Sequence, residues 1–202
     1  MNTARDLAVL ALAASSDAPV EQGDVSLALA GAELLDLVEA GALAVDSDRI
    51  VPGAPPETGD RLLDEAAATF VRQEPYESVE DWLWRRGEGL SAAYFAALES
   101  DGLATRTQAR RIPVRTGRTV VLDSPERTRA EERRASAEPV FAALATAAGL
   151  QDEQPETLED LTDDTVTAVL AAVGDAVMEL EGVRQRRAIE SSAFDNIWRG
   201  GV

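Results

Sequence analysis

Residues 41–70, GALAVDSDRIVPGAPPETGDRLLDEAAATF, decide the predicted fold. The apolar segments on either side of the turn at residues 46–48 predict a short β-hairpin. Pro55 and Pro56 then close an extended segment, and Thr58 or Asp60 can cap the helix that follows. An apolar stripe on that helix consists of Leu62, Leu63, Ala66, Ala67 and Phe70. The stretch therefore predicts a helix exit, a hairpin and a helix entry in close succession.

The helix before this stretch is rich in apolar residues. Residues 25–41, VSLALAGAELLDLVEAG, follow Asp24, which can cap the helix, and Gly41 is suited to end it. Its polar side chains cover only about 140° of the helical wheel; they are Ser26, Glu33, Asp36 and Glu39. We expect this helix to be mostly buried at the centre of the fold.

Helical spacing continues on both sides of this centre. Residues 7–12 predict an N-terminal helix, Ser78 and Ser124 can cap later helices, and residues 166–180 have apolar side chains at spacings of three and four. A short last helix is expected around Phe194, and residues 151–164 predict an exposed acidic linker. The prediction is a mainly α, single-domain helical bundle of residues 1–202 around a central buried helix, with one or two short β-hairpins.

The composition excludes several classes of protein. The chain of 202 residues has no Cys and no His, which removes disulfides, thiolate nucleophiles, Ser-His-Asp triads and the usual zinc ligands. Carboxylates such as Asp60 and Asp64, or Asp163 and Asp164, lie where helix N-termini favour acids, so they do not by themselves indicate a metal site. We predict no catalytic residue, no metal and no cofactor, and hence no enzyme.

Membrane insertion is not predicted either. The longest apolar runs, residues 7–14 and 25–32, are shorter than the eighteen or so residues of a membrane span. Asp6 lies inside what would have to be a signal core, so we expect a cytoplasmic chain. The formal net charge of −18 disfavours nonspecific attraction to nucleic acid, and no nucleic-acid partner is predicted.

One segment differs in charge from the rest. Between Gly102 and Leu122 there are five arginines and no acid: Arg106, Arg110, Arg111, Arg115 and Arg118. The strand-like runs RRIPV and TVVLD, joined by RTGR, predict a hairpin at about residues 105–123. This basic hairpin can contact an anionic lipid head group or an acidic patch on a second copy of the chain, and both alternatives stay open.

The order of these motifs resembles the Golgi phosphoprotein 3 family. The matching pieces are DLAVLALA, LALAGAELLDLVEAGAL, PETGDRLLDEA and ESVEDWL, with the run at residues 58–66 the most specific. The resemblance implies a mostly helical domain and a non-enzymatic peripheral membrane adaptor. It also implies binding to phosphatidylinositol 4-phosphate and, in eukaryotes, a link between Golgi membranes and cargo enzymes.

The resemblance also indicates where a lipid pocket would lie. The family's pocket Trp aligns near Glu21 or Gln22, and its first pocket Arg aligns with Ala30. Its second basic pair aligns near Glu88 and Ser91, or with Arg85 and Arg86 if the chain has a deletion here.

Trp84, Arg85 and Arg86 form the second candidate site. Two guanidinium groups beside an indole can clamp a phosphate, although such a pair is more commonly a solvated helix end. Our hypothesis is that these residues share one face with Arg110, Arg111, Arg115 and Arg118 and meet an anionic head group at the cytoplasmic membrane face. Trp82 is expected in the core, with its indole N–H at the surface.

Two other functions remain open. A protein-binding scaffold without lipid specificity fits the charge equally well, with a protein cargo as its partner. A helix, Gly41 and a hairpin also outline a winged-helix DNA-binding regulator. Against this last alternative, residues 25–41 include no basic side chain that could read the major groove.

Overall fold

The computed structural model describes residues 2–15, 20–54, 57–107, 118–151 and 163–199, with the side chains of residues 106, 107, 118 and 192–199 excepted. Within these ranges the chain forms α1 (Thr3–Ala14), α2 (Gln22–Glu39), β1 (Leu43–Asp46), β2 (Arg49–Pro52), α3 (Arg61–Ala68), α4 (Val79–Gly87), α5 (Leu90–Ser100), β3 (Ala104–Thr107), β4 (Arg118–Val121), α6 (Pro125–Ala135), α7 (Pro139–Ala147) and α8 (Asp164–Arg199). The predicted class, mainly α with two short hairpins, is confirmed.

Helix α2 is the centre of the bundle. It contacts six other helices, α1, α3, α4, α5, α7 and α8, and all of its residues from Val25 to Leu37 are buried. Even Ser26, Glu33 and Asp36 on its predicted polar side are buried. At Gly31 an added Cβ would lie 2.4 Å from Val173 Cγ2 of α8, so the missing side chain allows the two helices to approach closely. The predicted central helix is confirmed.

The stretch at residues 41–70 folds as its pattern indicates. Strands β1 and β2 pair antiparallel, with Leu43 opposite Pro52. The Asp60 carboxylate accepts hydrogen bonds from the backbone N–H groups of Leu62 (2.8 Å) and Leu63 (3.2 Å), and so caps α3. The predicted stripe is buried and faces the core: Leu62, Leu63, Ala66, Ala67 and Phe70.

The segment that follows Ser78 forms two helices. The Ser78 hydroxyl accepts the N–H of Asp81 at 3.0 Å, which confirms the predicted cap of α4. The helix stops at Gly87, and Gly89 has a left-handed backbone with φ of 70°. Glycine adopts this conformation without the steric cost that a side chain imposes, so the chain turns here before α5 begins.

The first strand of the second hairpin begins earlier than predicted. Strand β3 pairs antiparallel with β4, Ala104 opposite Val121 and Thr107 opposite Arg118. Within the described ranges the first strand is therefore ATRT, which the sequence pattern did not single out. The predicted strand RRIPV and the first three residues of the predicted turn RTGR lie outside the described residues, whereas the last, Arg118, is the first residue of β4.

Helix α8 is the longest element described. Val169 and Val173 are buried, and Val166, Leu170, Val177 and Leu180 pack against the core as predicted. The helix continues without a break to Arg199, so the prediction of a separate last helix around Phe194 is wrong. Of the predicted acidic linker, residues 152–162 lie outside the described ranges. In the described part of the chain, no helix is long and apolar enough to cross a membrane.

Candidate functional site

The candidate residues of α4 diverge. Trp84, Arg85 and Arg86 are consecutive, so each points about 100° away from the next around the helix. Arg86 faces α2, Arg85 faces the segment before α4, and Trp84 faces a surface cleft. The structure therefore does not bring the three side chains together as one clamp.

Arg86 lies in a buried polar network. Its Nε and Nη2 donate to the Glu33 carboxylate at 2.7 and 2.8 Å, and Nη2 also donates to the Leu62 carbonyl at 3.0 Å. The Tyr94 hydroxyl donates to the same carboxylate at 3.0 Å. Glu33 is fully buried, so water cannot stabilise its charge. The Arg86 guanidinium, with its positive charge and two hydrogen bonds, supplies most of that stabilisation instead.

Burial and charge shift the pKa values of this network. Loss of solvent raises the pKa of Glu33 above its ordinary value, although the Arg86 hydrogen bond and charge oppose that shift. Burial, and then the nearby Glu33 carboxylate, hold the pKa of Tyr94 well above its usual value. Tyr94 therefore stays protonated near neutral pH and donates its hydroxyl hydrogen to Glu33.

Arg85 is bound at the surface. Its Nε and Nη2 donate to the two carboxylate oxygens of Glu77, each at 2.7 Å. Its guanidinium carbon lies 5.1 Å from the ring centroid of Trp82, a cation–π distance. Trp82 is in the core as predicted, but its indole Nε1 is buried without a hydrogen-bond partner, so the predicted surface position of that N–H is wrong.

Trp84 is half-buried beside an open cleft of about 380 Å³. Helices α2 and α5 both begin at this cleft, and Leu180 of α8 closes it. Its lining includes Gln22, Glu88 and Ser91, three positions at which the resemblance puts a lipid pocket. Ala30 is buried in the core instead. Among the described residues, the lining of this cleft has one carboxylate, Glu88, and no guanidinium group.

The hairpin arginines are only partly described. Arg106 and Arg118 belong to β3 and β4, where Arg106 is opposite Thr119. Arg110, Arg111 and Arg115 lie outside the described residues. Their contact with a head group, and the predicted self-association through residues 105–123, therefore stay predictions.

A second buried network was missed at the sequence level. Asp6 of α1 is fully buried and accepts hydrogen bonds from Arg129 Nη2 at 2.6 Å and Arg133 Nη1 at 3.1 Å. Arg133 also donates to Glu138 at 2.7 Å. Arg127, by contrast, pairs within α6, where its Nε donates to Glu131 at 2.8 Å. The sequence signal for this network was Asp6, an acidic residue inside an otherwise apolar helix.

The remaining acidic candidates have structural partners. Asp60 caps α3, and Asp163 accepts the N–H groups of Thr165 and Val166 at the start of α8. Asp36 accepts the N–H groups of Thr3 and Ala4, each at 2.9 Å, so α2 caps α1. Across the described ranges, no group of three or more acidic side chains is arranged to hold a metal ion.

Fold and site together define a mainly helical domain in which the buried carboxylates of Glu33 and Asp6 are paired with arginines from other helices. A family model described as Golgi phosphoprotein 3 (GPP34) matches residues 4–195, and the chain belongs to this family. Family membership suggests a Golgi phosphoprotein-like adaptor. A search of curated proteins finds no match to the chain.

Proposed function

We propose that this chain, as one domain over residues 1–202, is a non-enzymatic adaptor that attaches to the cytoplasmic face of a membrane by binding an anionic lipid head group. The observation that supports this function most strongly is the family match over residues 4–195. We choose the binding residues by two criteria. The first is whether an arginine of the described body already has a carboxylate partner, and the second is whether the sequence around an arginine has acidic residues.

Most arginines of the described body are already paired. Those in ion pairs with carboxylates are Arg5, Arg49, Arg61, Arg85, Arg86, Arg127, Arg129, Arg133 and Arg184. A bidentate carboxylate fills the same planar edge of guanidinium that a phosphate would use. A head group would therefore have to displace an internal partner at Arg85 or Arg86.

The basic hairpin offers the alternative. Strand β3 ends at Thr107 and β4 begins at Arg118. Residues 103–121, which include both strands and the segment that joins them, have no acidic side chain. A local cluster of guanidinium groups on a chain of net charge −18 would also orient the molecule toward an anionic surface. We therefore propose Arg110, Arg111, Arg115 and Arg118 as the main contacts, with Trp84, Arg85 and Arg86 as secondary ones.

Co-sedimentation with phosphatidylcholine vesicles tests the proposal. The vesicles contain phosphatidylglycerol or phosphatidylinositol 4-phosphate at equal total charge, so the two arms separate general charge from the phosphoinositide. We expect binding at low salt that weakens as salt screens the charges. Replacing the four hairpin arginines, Arg110, Arg111, Arg115 and Arg118, with Ser should abolish it.

A matched variant controls for net charge. Arg61, Arg72, Arg134 and Arg187 are exposed and lie elsewhere, so changing these four to Ser removes the same charge. This variant should retain most of the binding. No binding by the unaltered chain, or an equal loss in both variants, would contradict head-group recognition.

The cleft beside Trp84 favours a second candidate, a scaffold for a protein cargo. With Glu88 and no guanidinium in its described lining, the cleft suits a cationic or apolar side chain of a partner better than a phosphate. A chain that binds no vesicles of either composition would leave this scaffold function as the better one. A winged-helix role is disfavoured by the burial of α2, because a recognition helix needs an exposed face.

A further inference from the structure

The C-terminal half of α8 extends beyond the packed body. Leu180 is half-buried and Arg184 is held by Asp24, but residues 185–191 are all exposed. From residue 185 to the end at Arg199 the helix runs for about 22 Å at 1.5 Å per residue. Met178 and Ile189 are 74% and 69% exposed, which is unusual for large apolar side chains.

One face of α8 has the spacing of a helix-pairing seam. Steps of four and three residues connect Ala168, Ala172, Asp175, Glu179, Gly182, Arg186 and Ile189. The first four of these line a groove of about 550 Å³ between α8 and the β1–β2 hairpin. Asp175, Glu179, Arg186 and Ile189 of this seam are exposed, whereas Ala168, Ala172 and Gly182 are half-buried. The small side chains of these last three allow a second helix to approach closely.

The charges on this seam distinguish parallel from antiparallel pairing. Asp175 and Glu179 come first and Arg186 follows; within the described chain none of the three has an ion-pair partner. A parallel pair would place each acid against the same acid of the other helix, which is repulsive. An antiparallel pair places opposite charges together.

We propose that α8 pairs antiparallel with α8 of a second copy of this chain. In the register that the seam defines, Asp175 faces Arg186 of the partner subunit, Glu179 faces Gly182 of the partner subunit, and Ala172 faces Ile189 of the partner subunit. Each contact occurs twice around a two-fold axis, as an isologous dimer requires. The opposite wall of the groove has Asp48, Glu80 and Asp81 with one cation, Arg49, which pairs with Asp48, so its net charge beside the arriving arginine is negative. This pairing is independent of lipid binding.

Charge reversal tests the pairing on the full chain by analytical ultracentrifugation. The unaltered chain should dimerise, and Arg186→Glu or Asp175→Arg alone should move the monomer–dimer midpoint at least tenfold or so higher in concentration. The double variant Asp175→Arg with Arg186→Glu restores opposite charges and should restore the dimer. The control Arg134→Glu, on an exposed residue of α6, should leave it unchanged.

Cross-linking tests the register. The chain has no Cys, so Ala172→Cys and Ile189→Cys give single probes. These positions are about 25 Å apart along one helix but adjacent across the proposed pair. A mixture of the two variants should give covalent dimers with a short bismaleimide, and neither alone should. A monomeric chain, a dimer insensitive to charge reversal, or one lost only when the hairpin arginines become Ser would overturn the proposal.

Discussion

Arg86 on α4 and Arg186 on α8 show how position decides what the same side chain does. Arg86 binds the buried Glu33 of α2, whereas Arg186 is exposed and bonds only the Gly182 carbonyl within the described chain. The first is part of the interior, because a buried carboxylate without its partner would be costly. The second remains free for an external partner. The bundle thus uses arginine internally where helices converge and externally where the chain leaves the body.

The largest expected effect comes from breaking the interior pair. Arg86→Ala removes the only cation bonded to the buried Glu33 among the described residues, so unfolding free energy should fall by about 3–5 kcal/mol. Urea denaturation followed by circular dichroism measures it. Arg61→Ala removes an exposed arginine paired with Glu65, and should change stability by less than about 0.5 kcal/mol. Equal losses in the two variants would contradict the distinction between interior and surface pairs.

A smaller effect should follow from separating α2 and α8. In Gly31→Ala the new Cβ would lie 2.4 Å from Val173 Cγ2, and we expect a loss of about 1–3 kcal/mol despite the better helix propensity of alanine. Gly174 of α8 is the matched control, since nothing lies within 4 Å of its added Cβ. Gly174→Ala should stabilise the chain by up to about 1 kcal/mol. Stabilisation by both substitutions would mean that the helices do not approach so closely.

The smallest effect concerns pH. Burial raises the pKa of Asp36 above 3.8, although the N–H groups of Ala4 and Thr3 oppose the shift. The folded chain therefore holds this proton more tightly than the unfolded chain. The resulting stability is fully present below the unfolded pKa and is lost as pH rises through the folded pKa.

The stability of the unaltered chain relative to Asp36→Asn measures this contribution. As pH rises from below 3.8, the ordinary aspartate value, toward neutral, the difference in unfolding free energy should shift against the unaltered chain, because only it carries the titrating carboxyl. Other groups cancel in the comparison. A difference that stayed constant, or moved in the other direction, would show that Asp36 is not destabilised as a buried anion.

Local features were predictable from the sequence, because they depend on neighbours in the chain. The caps Asp60 and Ser78, the glycine exit at Gly41 and the stripe of α3 belong to this group. The break at Gly89 and the strand Ala104–Thr107 were missed. A single glycine does not reveal its φ, and a four-residue strand gives too short a pattern.

The long-range polar pairs were not predictable. Glu33 and Arg86 are 53 residues apart, and Asp6 and Arg133 are 127 residues apart. Their pairing depends on how the helices pack rather than on the distance between the residues in the sequence. The sequence next to Trp84 therefore did not reveal the carboxylate partner of Arg86. An acid on an otherwise apolar helix does indicate that some partner must exist. It does not say which arginine provides it.

The most direct test of this account is vesicle binding by a chain in which Arg86 is absent but the interior remains satisfied. Glu33→Gln with Arg86→Met removes the ion pair, avoids an unpaired buried charge and keeps an acceptor for the Tyr94 hydroxyl. Because Arg86 is only a secondary contact in the proposal, this folded variant should retain most of the co-sedimentation that the unaltered chain shows with anionic vesicles. A loss of binding as large as that caused by replacing the hairpin arginines would contradict it.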